Sequence, residues 1–307
     1  MPSEFELIRR HFDRPGKHTL LGVGDDAALV RASAGMDLAV STDLLAEGIH
    51  FRAGDAPRAI GHKALAVNLS DLAAMGAAPR WATLALALPR ADDAWISAFA
   101  EGFFALAVRH GVDLIGGDTT RGPCAICVTI FGEVPQGFAL YRAGAAPGDD
   151  IWVSGELGGA ALGLARPDIA AAAARLQLPE PRVELGERLR GLASSAIDVS
   201  DGFAQDLGHI LERSQAGALV RYLDLPKFAA FPDRETERRC VLAGGDDYEL
   251  VFTAAQAQRG EIEALGAELM LRLTRVGSIQ RGDPKLVLLD ESGATMPVPQ
   301  GYDHFRA

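Results

Sequence analysis

Short apolar runs and amphipathic stretches alternate along most of this chain. In the first half, apolar runs at 36–41, 81–88, 112–115 and 125–134 predict strands, and a period near 3.6 residues at 57–78 and 92–110 predicts helices. In the second half, the same criteria predict strands at 151–154, 196–199, 219–223, 249–253 and 285–289, and helices at 182–190 and 203–213. Strands and helices mixed in both halves predict an α+β (mixed α/β) fold.

A turn-rich segment divides the chain. Residues 142–150 are rich in glycine, proline and other small residues, and they separate two halves of nearly equal length. A chain of 307 residues is long enough for two ordinary domains. We therefore predict one domain over residues 1–148 and a second over residues 149–307.

Composition and charge narrow the class of protein. Hydrophobic residues make up 48% of the chain and charged residues 23%, which is typical of a globular protein with a substantial core. The net charge of −11, without a stripe rich in Lys and Arg, argues against a nucleic-acid partner. No apolar stretch reaches the roughly 20 residues of a membrane-spanning helix. Residues 1–14 have the pattern of an amphipathic helix rather than a signal peptide, so we expect a cytoplasmic protein.

The aspartates recur in short clusters flanked by glycine or hydroxyl residues. The clusters are Gly24-Asp25-Asp26, Ser41-Thr42-Asp43, Asn68-Leu69-Ser70-Asp71, Gly116-Gly117-Asp118, Asp198-Val199-Ser200-Asp201-Gly202 and Gly244-Gly245-Asp246-Asp247. Several follow an apolar run directly, which predicts carboxylates just beyond strand ends, where a small residue lets the backbone turn. Hard oxygen ligands suit Mg²⁺, which usually binds together with the phosphates of a nucleotide.

Some clusters have simpler explanations. Residues 22–27 match the G-x-G-x-x-G/A dinucleotide fingerprint, but Asp25 and Asp26 would then face the pyrophosphate, so a metal site is favoured. The chain has no P-loop motif. Helix N-capping is the common role of a Ser-Thr-Asp trio such as 41–43. Capping does not explain Asp71, which lies among apolar residues of a predicted helix, where a carboxylate needs a partner such as a cation.

The order and spacing of these clusters resemble the thiamine-monophosphate kinase family, within the superfamily named for aminoimidazole-ribonucleotide synthetase. The resemblance runs almost from end to end, and beyond the clusters it includes Glu47-Gly48-Ile49-His50-Phe51, the segments 63–76, 116–122, 196–202 and 245–249, and the terminal Gly301-Tyr302-Asp303-His304-Phe305. It implies a two-domain, synthetase-like architecture. The N-terminal domain would be a mixed sheet with helices that forms a homodimer, and the C-terminal domain would be α+β.

The resemblance also implies a reaction. It is the ATP-dependent phosphorylation of thiamine monophosphate to thiamine diphosphate, the last step of thiamine diphosphate biosynthesis, with several magnesium ions. The attacking phosphate oxygen is largely ionised at neutral pH, because its second pKa is about 6. No general base is then required, and we expect direct in-line transfer without a phosphoenzyme.

Residue by residue, the resemblance implies three sets of contacts and no side chain that acts as acid, base or nucleophile. The implied magnesium ligands are Asp26, Ser41, Thr42, Asp43, Asp71, Asp118, Asp198 and Asp201; the ATP contacts are Gly117, Asp118, Arg142 and Ser200; the thiamine monophosphate contacts are His50, Asp246 and Tyr302. Asp246 stands where the family often has Glu, so its carboxylate is one methylene shorter. Without the resemblance, His50 and Tyr302 would read as ordinary packing residues.

Two other readings stay open. One is another ATP-using enzyme of the same superfamily. Against it, a selenophosphate synthetase typically has a reactive cysteine or selenocysteine near its N-terminus, whereas this chain has no cysteine before Cys124. The chain also lacks the terminal cysteine of the hydrogenase-maturation relative. The ribonucleotide cyclo-ligase lacks the combination of motifs at 47–51 and 301–305. The other reading is a non-catalytic module that binds magnesium or calcium, although ligands drawn from both halves argue against a local structural site.

Overall fold

A computed structural model describes residues 3–229 and 231–302. Contacts between residues divide the chain into two compact units, which we call the first and the second unit. The first unit comprises Met1–Leu72 and Ala77–Gly137, and the second comprises Ala73–Gly76 and Phe138–Ala307. The domain limits of 1–148 and 149–307 stay a prediction.

The elements that begin in the first unit combine helices with one main sheet. The helices are α1 (Glu4–His11), α2 (Pro57–Ala74) and α3 (Asp93–His110), and the strands are β1 (Thr19–Leu21), β2 (Leu29–Val30), β3 (Met36–Ala46), β4 (Ala78–Leu88), β5 (Asp113–Arg121) and β6 (Ala125–Pro135). Strands β1 and β2 pair with each other. The other four form a sheet in the order β3-β6-β4-β5, in which only the β4–β5 pair is parallel. The predicted mixed sheet with helices is confirmed.

Capping residues set the limits of α1 and α3. The Ser3 hydroxyl accepts from the N–H of Glu6, and the Glu6 carboxylate accepts from the N–H of Ser3, so a capping box starts α1. The Asp92 side chain accepts from the N–H of Trp95 at 3.1 Å at the start of α3. Gly111, in the left-handed region, ends α3. The predicted helix over 92–110 is therefore correct, with Asp92 as its cap.

The two faces of the four-stranded sheet differ in burial. On one face, Ile126 and Val128 of β6 are fully buried, as successive residues of the same parity are in a half-covered strand. On the other face, Leu38, Val40 and Leu44 of the edge strand β3 are 47%, 57% and 56% exposed. The sheet therefore leaves an apolar surface open along β3.

The second unit is built around a larger sheet. Its helices are α4 (Gly159–Ala165), α5 (Ala170–Gln177), α6 (Val183–Leu189), α7 (Phe203–Ser214), α8 (Arg234–Ala243) and α9 (Arg259–Glu268), and its strands are β7 (Asp150–Ser154), β8 (Ser195–Asp198), β9 (Gly217–Arg221), β10 (Leu250–Ala254), β11 (Leu273–Gln280), β12 (Leu286–Leu289) and β13 (Thr295–Met296). The strand order is β13-β12-β9-β11-β7-β10-β8, and only the β9–β12 pair is parallel. Ile197, Phe203 and Val251 belong to the core of this unit. The predicted α+β character is confirmed.

Two aspartate clusters lie inside strands. The sequence had led us to expect them just beyond the strand ends, and for these two clusters that prediction is wrong. β3 stays paired with β6 as far as Ala46, so residues 41–43 are in mid-strand and do not cap a helix. β5 stays paired with β4 through Arg121, so residues 116–118 are also in a strand. Backbone pairing in the sheet continues past the point where the apolar run stops, which periodicity does not reveal.

None of the helices in the described part of the chain has the length and apolarity that crossing a membrane requires.

Candidate active site

Ser41, Asp43 and Asp71 come together in the first unit. Side chains of alternate strand residues point to the same face, so Ser41 and Asp43 share the face of β3 that includes the buried Leu45. Asp71 lies on α2, as predicted, and the Ser41 hydroxyl donates a hydrogen bond to its Oδ2 atom. Three of the implied magnesium ligands are therefore neighbours, and regular secondary structure sets their positions.

The electrostatics of this group fit a cation. Desolvation and, secondly, the negative charge of Asp71 raise the pKa of Asp43 to about 6. Two carboxylates that oppose each other's ionisation, beside a hydroxyl, are a hard-oxygen donor set that a divalent cation would stabilise. The residues present therefore suit magnesium. Over 3–229 and 231–302, no group of three or more His, Cys, Asp and Glu side chains is by itself arranged to hold a metal ion.

Thr42 lies on the opposite face of β3 from Ser41 and Asp43. Its side chain is exposed, and its Oγ1 atom is 2.9 Å from Oγ1 of Thr129 on β6. The side chain therefore does not belong to the group formed with Asp71. Its implied role as a magnesium ligand stays a prediction.

A cleft of about 600 Å³ in the first unit contains three more of the implied site residues. Asp26, Gly117 and Asp118 line it, together with apolar side chains of α1 such as Phe5 and Ile8. Small-molecule sites commonly combine an apolar wall with a few polar groups that fix orientation. The cleft therefore has the composition of a small-molecule site, with carboxylates among its lining residues.

Gly117 is required by the sheet itself. It lies in β5 opposite Leu84 of β4, and its φ of 150° is one that glycine adopts far more easily than other residues. A Cβ atom at this position would lie 1.8 Å from the carbonyl oxygen of Leu84. Gly117 thus lets β5 approach β4 closely. A contact between Gly117 and ATP stays a prediction.

Asp43 and Asp118 belong to strands on opposite edges of the sheet. β3 forms one edge and β5 the other, with β6 and β4 between them. Neighbouring strands are about 4.8 Å apart, so three spacings separate the two edges by about 14 Å. The Ser41, Asp43 and Asp71 group and Asp118 are therefore too far apart to bind the same ion within one chain.

His50 is held by its backbone and by its ring. Its Nδ1 atom accepts from the N–H of Ala46 at 3.0 Å, which places the hydrogen of the neutral imidazole on Nε2. Its carbonyl oxygen accepts from Nζ of Lys63 at 3.2 Å, and Lys63 is only 4% exposed. The loop after β3 thus presents this histidine in a defined orientation and tautomer.

Asp198, Ser200 and Asp201 occupy the end of β8 and the turn before α7, as the sequence predicted. Asp198 is buried at the last position of β8. The N–H groups of Ser200, Asp201 and Gly202 all donate to Oδ2 of Asp206, at 3.1, 3.1 and 3.0 Å. Burial and then the charge of Asp201 raise the pKa of Asp206 to about 7, although these three hydrogen bonds lower it.

Asp246 is attached to this turn. Its N–H donates to the carbonyl oxygen of Ser200 at 2.9 Å, and its Oδ1 accepts from the Tyr248 hydroxyl at 3.0 Å. Asp246 and Tyr248 have φ values of 65° and 50°, in the left-handed region that residues other than glycine rarely adopt. Such backbone strain concentrates at functional sites. The structure therefore brings Asp246 and Ser200 together.

Two acidic residues beside Asp246 support the fold. The Asp247 carboxylate accepts from the N–H groups of Gly158 and Ala160, at 2.6 and 3.2 Å, and so caps α4. Desolvation raises the pKa of Asp247 to about 8, against those hydrogen bonds. Glu249, which is buried, accepts from both Nε and Nη2 of Arg182, at 2.7 and 2.5 Å. The sequence alone does not distinguish these two structural carboxylates from that of Asp246.

Tyr302 also joins the turn through its backbone. Its N–H donates to the carbonyl oxygen of Asp201 at 3.1 Å, and its carbonyl oxygen accepts from Nε2 of Gln205 at 3.2 Å. Its side chain is 43% exposed. The rest of the terminal motif, Asp303, His304 and Phe305, lies outside the described residues.

Arg142 and Ser200, both implied ATP contacts, lie at opposite ends of α7. The carbonyl oxygen of Arg142 accepts from the hydroxyl of Ser214, the last residue of the helix, whereas Ser200 lies just before its first turn. The helix has 12 residues. At a rise of 1.5 Å per residue, it is about 18 Å long. The structure therefore does not bring these two positions together.

Comparison with known proteins identifies the family. Residues 24–134 match the model of the AIR synthase related protein, N-terminal domain. The thiamine-monophosphate kinase of Escherichia coli (strain K12) is 43% identical, over 99% of this chain and 98% of the relative. That of Bacillus subtilis (strain 168) is 34% identical, over 99% of this chain and 100% of the relative. The chain belongs to the thiamine-monophosphate kinase family.

Solved structures of this family share the fold. The thiamine-monophosphate kinase from Stenotrophomonas maltophilia K279a has a TM-score of 0.85 and 48% identity, covering 91% of this chain and 93% of that one. AaThiL, solved in complex with AMPPCP and TMP, has a TM-score of 0.78 and 27% identity, covering 92% of each chain. The hydrogenase maturation protein HypE, at 23% identity and a TM-score of 0.80, shares the fold. The resemblance read from the motifs is confirmed.

Two residues, Lys63 and Asp206, hydrogen-bond the backbone of segments that carry candidate site residues, and the family motifs do not reveal these contacts. Lys63 lies within the family motif at 63–76, to which the resemblance gives it no role, and its Nζ atom contacts the backbone of His50. Asp206 lies outside the family motifs, beyond the segment 196–202. Its signal in the sequence is a carboxylate in the first turn of a predicted helix, where negative charge is favoured. That signal does not say that the carboxylate bonds the turn that carries Ser200 and Asp201.

Proposed function

We propose that this protein transfers the γ-phosphoryl group of ATP to thiamine monophosphate, which gives thiamine diphosphate and ADP. The observation that carries the proposal is the 43% identity to a kinase of that name over nearly the full length of both chains. A relative of the same fold was solved with AMPPCP and TMP, an ATP analogue and an acceptor together. The proposal includes a cytoplasmic location, where ATP is available.

The transfer needs no catalytic acid or base. An ionised oxygen of the acceptor phosphate forms the new bond to the γ-phosphorus as the bond from that phosphorus to the β,γ-bridging oxygen breaks, and ADP leaves. The second pKa of a phosphate monoester is about 6, so the nucleophile is charged at neutral pH without help. The task of the chain is to hold two anions in line against their repulsion. Transfer is direct, without a phosphoenzyme.

Magnesium would be held by the acidic groups in both units. Ser41, Asp43 and Asp71 supply one set of hard oxygens, and Asp26 and Asp118 supply oxygens at the cleft. The second unit would contribute Asp198 and Asp201, and the full set includes Thr42. When bound, the metal neutralises phosphate charge and orients the phosphoryl group. Gly117, Asp118, Ser200 and Arg142 would contact ATP, with Arg142 offsetting the negative charge of the two phosphates.

The acceptor would be bound by His50, Asp246 and Tyr302. The hydrogen-bonded Nδ1 of His50 leaves the ring hydrogen on Nε2, the tautomer that can donate to a phosphate oxygen. Asp246 is held beside the turn of Ser200, so the acceptor and the nucleotide would meet there. The aromatic face of Tyr302 is suited to stacking on a thiamine ring.

A homodimer is part of the proposal, and one observation supports it. The open face of the sheet exposes Leu38, Val40 and Leu44, and an apolar surface of this kind is typical of an interaction site. Two copies that pack these open faces together about a two-fold axis would cover the exposed apolar side chains.

A direct assay of both products tests the function. Purified protein, ATP and magnesium are incubated with thiamine monophosphate, and ADP and thiamine diphosphate are quantified by chromatography. We expect the two products in equal amounts and a complete dependence on both magnesium and the acceptor. Reactions with thiamine in place of thiamine monophosphate, or with a chelator, serve as controls.

The same assay decides between the alternatives. ADP that forms equally well without thiamine monophosphate would point to another ATP-using enzyme of the superfamily. Magnesium binding without any turnover would point to a non-catalytic module. Either result would contradict the kinase assignment.

A further inference from the structure

The turn between β8 and α7 has an unusual set of hydrogen bonds. The N–H of Val199 donates to the backbone of Glu249 at 2.8 Å, within the pattern of the sheet. The next three N–H groups, of residues 200–202, all converge on one oxygen of the Asp206 side chain, at 3.0 to 3.1 Å. Asp206 is only 2% exposed, so these bonds are shielded from water.

The carbonyl oxygens of the same turn are held by other segments. Val199 accepts from the N–H of Tyr248 at 2.9 Å, and Asp201 accepts from the N–H of Tyr302 at 3.1 Å. The carbonyl of residue 200 accepts from the N–H of Asp246, also at 2.9 Å. Every backbone polar group from the N–H of residue 199 to the carbonyl of residue 201 therefore has a partner. Among these partners, Asp206 is the side chain and the rest are backbone groups.

The convergence of three N–H groups has a chemical consequence. Successive amides that point to one place form a concavity that commonly binds an anion such as a phosphate. Here the anion is the protein's own carboxylate. The amides of the turn are therefore committed to Asp206, and the groups that the turn offers to a ligand are the side chains of Ser200 and Asp201.

We propose that Asp206 is a positioning residue for the magnesium nucleotide. Its carboxylate fixes the turn of residues 199–202 and thereby the places of the Ser200 hydroxyl and the Asp201 carboxylate. The inference rests on the proposed function, in which Ser200 contacts ATP and Asp201 binds magnesium. Asp206 touches neither ligand and acts through the turn. Partners that orient metal ligands in this way are typically worth about 10- to 100-fold in metal affinity or activity.

The chain offers a matched control in Asp290. One oxygen of its carboxylate also accepts three hydrogen bonds, from the N–H groups of Ser292 and Ala294 and from the Ser292 hydroxyl, at 2.8, 3.0 and 2.7 Å. It lies between β12 and β13, and β13 and β8 are the opposite edges of the seven-stranded sheet. Asp290 therefore accepts a similar number of local hydrogen bonds, in a more exposed position and without a connection to the candidate site.

The test compares Asp206→Asn with Asp290→Asn. Asn has nearly the volume of Asp, but its amide oxygen is a weaker acceptor than a carboxylate. Three measurements are made on each full-length variant: amide hydrogen exchange at residues 200–202, Mn²⁺ affinity by electron paramagnetic resonance, and the magnesium concentration that gives half-maximal activity. For Asp206→Asn we expect faster exchange, Mn²⁺ affinity lowered about tenfold and a similar rise in the magnesium requirement. For Asp290→Asn we expect all three values of the wild type.

Several outcomes would overturn the proposal. Faster exchange in Asp206→Asn with unchanged Mn²⁺ affinity would mean that the turn and the metal are not coupled. Equal losses of Mn²⁺ affinity in the two variants would mean a general effect on stability. If Asp206→Asn does not fold, Asp206→Glu keeps the charge and displaces the oxygen by one methylene, and wild-type Mn²⁺ affinity in that variant would likewise count against positioning.

The proposed function and the positioning role can fail separately. Hydrogen exchange and Mn²⁺ binding require neither ATP nor thiamine monophosphate. A wild-type protein that binds Mn²⁺ in an Asp206-dependent way but forms no thiamine diphosphate would contradict the kinase assignment and support the positioning role.

Discussion

Acidic residues in the two units have different surroundings. In the second unit, the carboxylate of Glu249 is buried against Arg182, and that of Asp206 accepts three backbone N–H groups. In the first unit, Asp43 lies near a second carboxylate, Asp71, whose charge adds to desolvation in raising the pKa of Asp43 to about 6. Glu249 is therefore paired with an opposite charge, whereas Asp43 lies beside a like charge. Asp206 is between these cases: it accepts three N–H groups, yet burial and then the charge of Asp201 raise its pKa to about 7.

The difference separates acids that stabilise the fold from acids placed for a ligand. A buried carboxylate with donors around it contributes to one well-defined structure and loses much if a partner is removed. A carboxylate that lies beside another gains when a cation binds, and active sites collect groups of this kind. Replacement of Glu249 should therefore mainly damage stability, and replacement of Asp71 should mainly damage activity.

Glu249→Gln should have the largest effect, and it should be on stability. The Arg182 side chain is 15% exposed and that of Glu249 is 2% exposed, so the variant leaves a largely buried guanidinium without the carboxylate that it bonds directly. Loss of one partner of a buried pair typically costs about 3–5 kcal/mol of folding free energy. Urea unfolding of the two proteins measures this. The control is Glu268→Gln, which removes the exposed partner of Arg188 and should leave the midpoint unchanged. A midpoint for Glu249→Gln within error of wild type would break the comparison.

Asp71→Asn should reduce activity more than stability. It removes a charge beside Asp43 at nearly constant volume and keeps an oxygen that can accept from Ser41. Loss of one electrostatic element of an active site commonly lowers kcat by about 100-fold or more. The rate at saturating magnesium and the unfolding midpoint are measured together. Glu101→Gln, the same change of charge at an exposed position of α3, is the control. Wild-type turnover in Asp71→Asn would show that this group is not the metal site.

How well the sequence predicts the positions of Ser41, Asp43 and Asp71 depends on the helix or strand that carries each residue. Helix α2 places Asp71, and its periodicity is visible in the sequence. Ser41 and Asp43 share a face because strands alternate, once the strand is known to extend through them. The apolar run stops at Val40, so the sequence predicted the strand end too early; pairing with another strand, a non-local property, extends it.

The turn before α7 shows where sequence reasoning ends. The motif located Asp198 and Asp201 correctly at the end of a strand. That Asp206 bonds three amides, and that Asp247 caps α4 while its neighbour Asp246 faces the turn, depends on left-handed backbone angles and on contacts between distant segments. Spacing along the chain carries no record of these. Similar acidic clusters can therefore hold both structural and ligand-binding carboxylates.

Ser41→Ala should have an intermediate effect. The hydroxyl donates to Asp71 and is implied as a magnesium ligand, so its loss removes one oxygen and lets the Asp71 carboxylate move. We expect about a tenfold rise in the magnesium concentration for half-maximal activity, the range typical of groups that orient metal ligands. Recovery of the wild-type rate at high magnesium would distinguish weakened binding from damage to the fold. An unchanged magnesium requirement would remove Ser41 from the site.

Thr42→Val should have the smallest effect and is the sharpest test of the two faces of β3. The side chain lies opposite Ser41 and contacts Thr129 at 2.9 Å, and valine keeps both its shape and its β-branching while removing the hydroxyl. If only the face of Ser41 and Asp43 meets magnesium, or if Thr42 binds magnesium through its backbone oxygen, the magnesium requirement should change by less than about threefold, within the range of a surface substitution. Thr129→Val removes the other hydroxyl of the same contact and is the matched control.

A loss in Thr42→Val as large as that in Ser41→Ala, with Thr129→Val unaffected, would mean that the open face also binds metal. The hydroxyl of Thr42 would then have to act on a site completed by the partner chain of the proposed dimer, because the Ser41, Asp43 and Asp71 group lies on the other side of its strand.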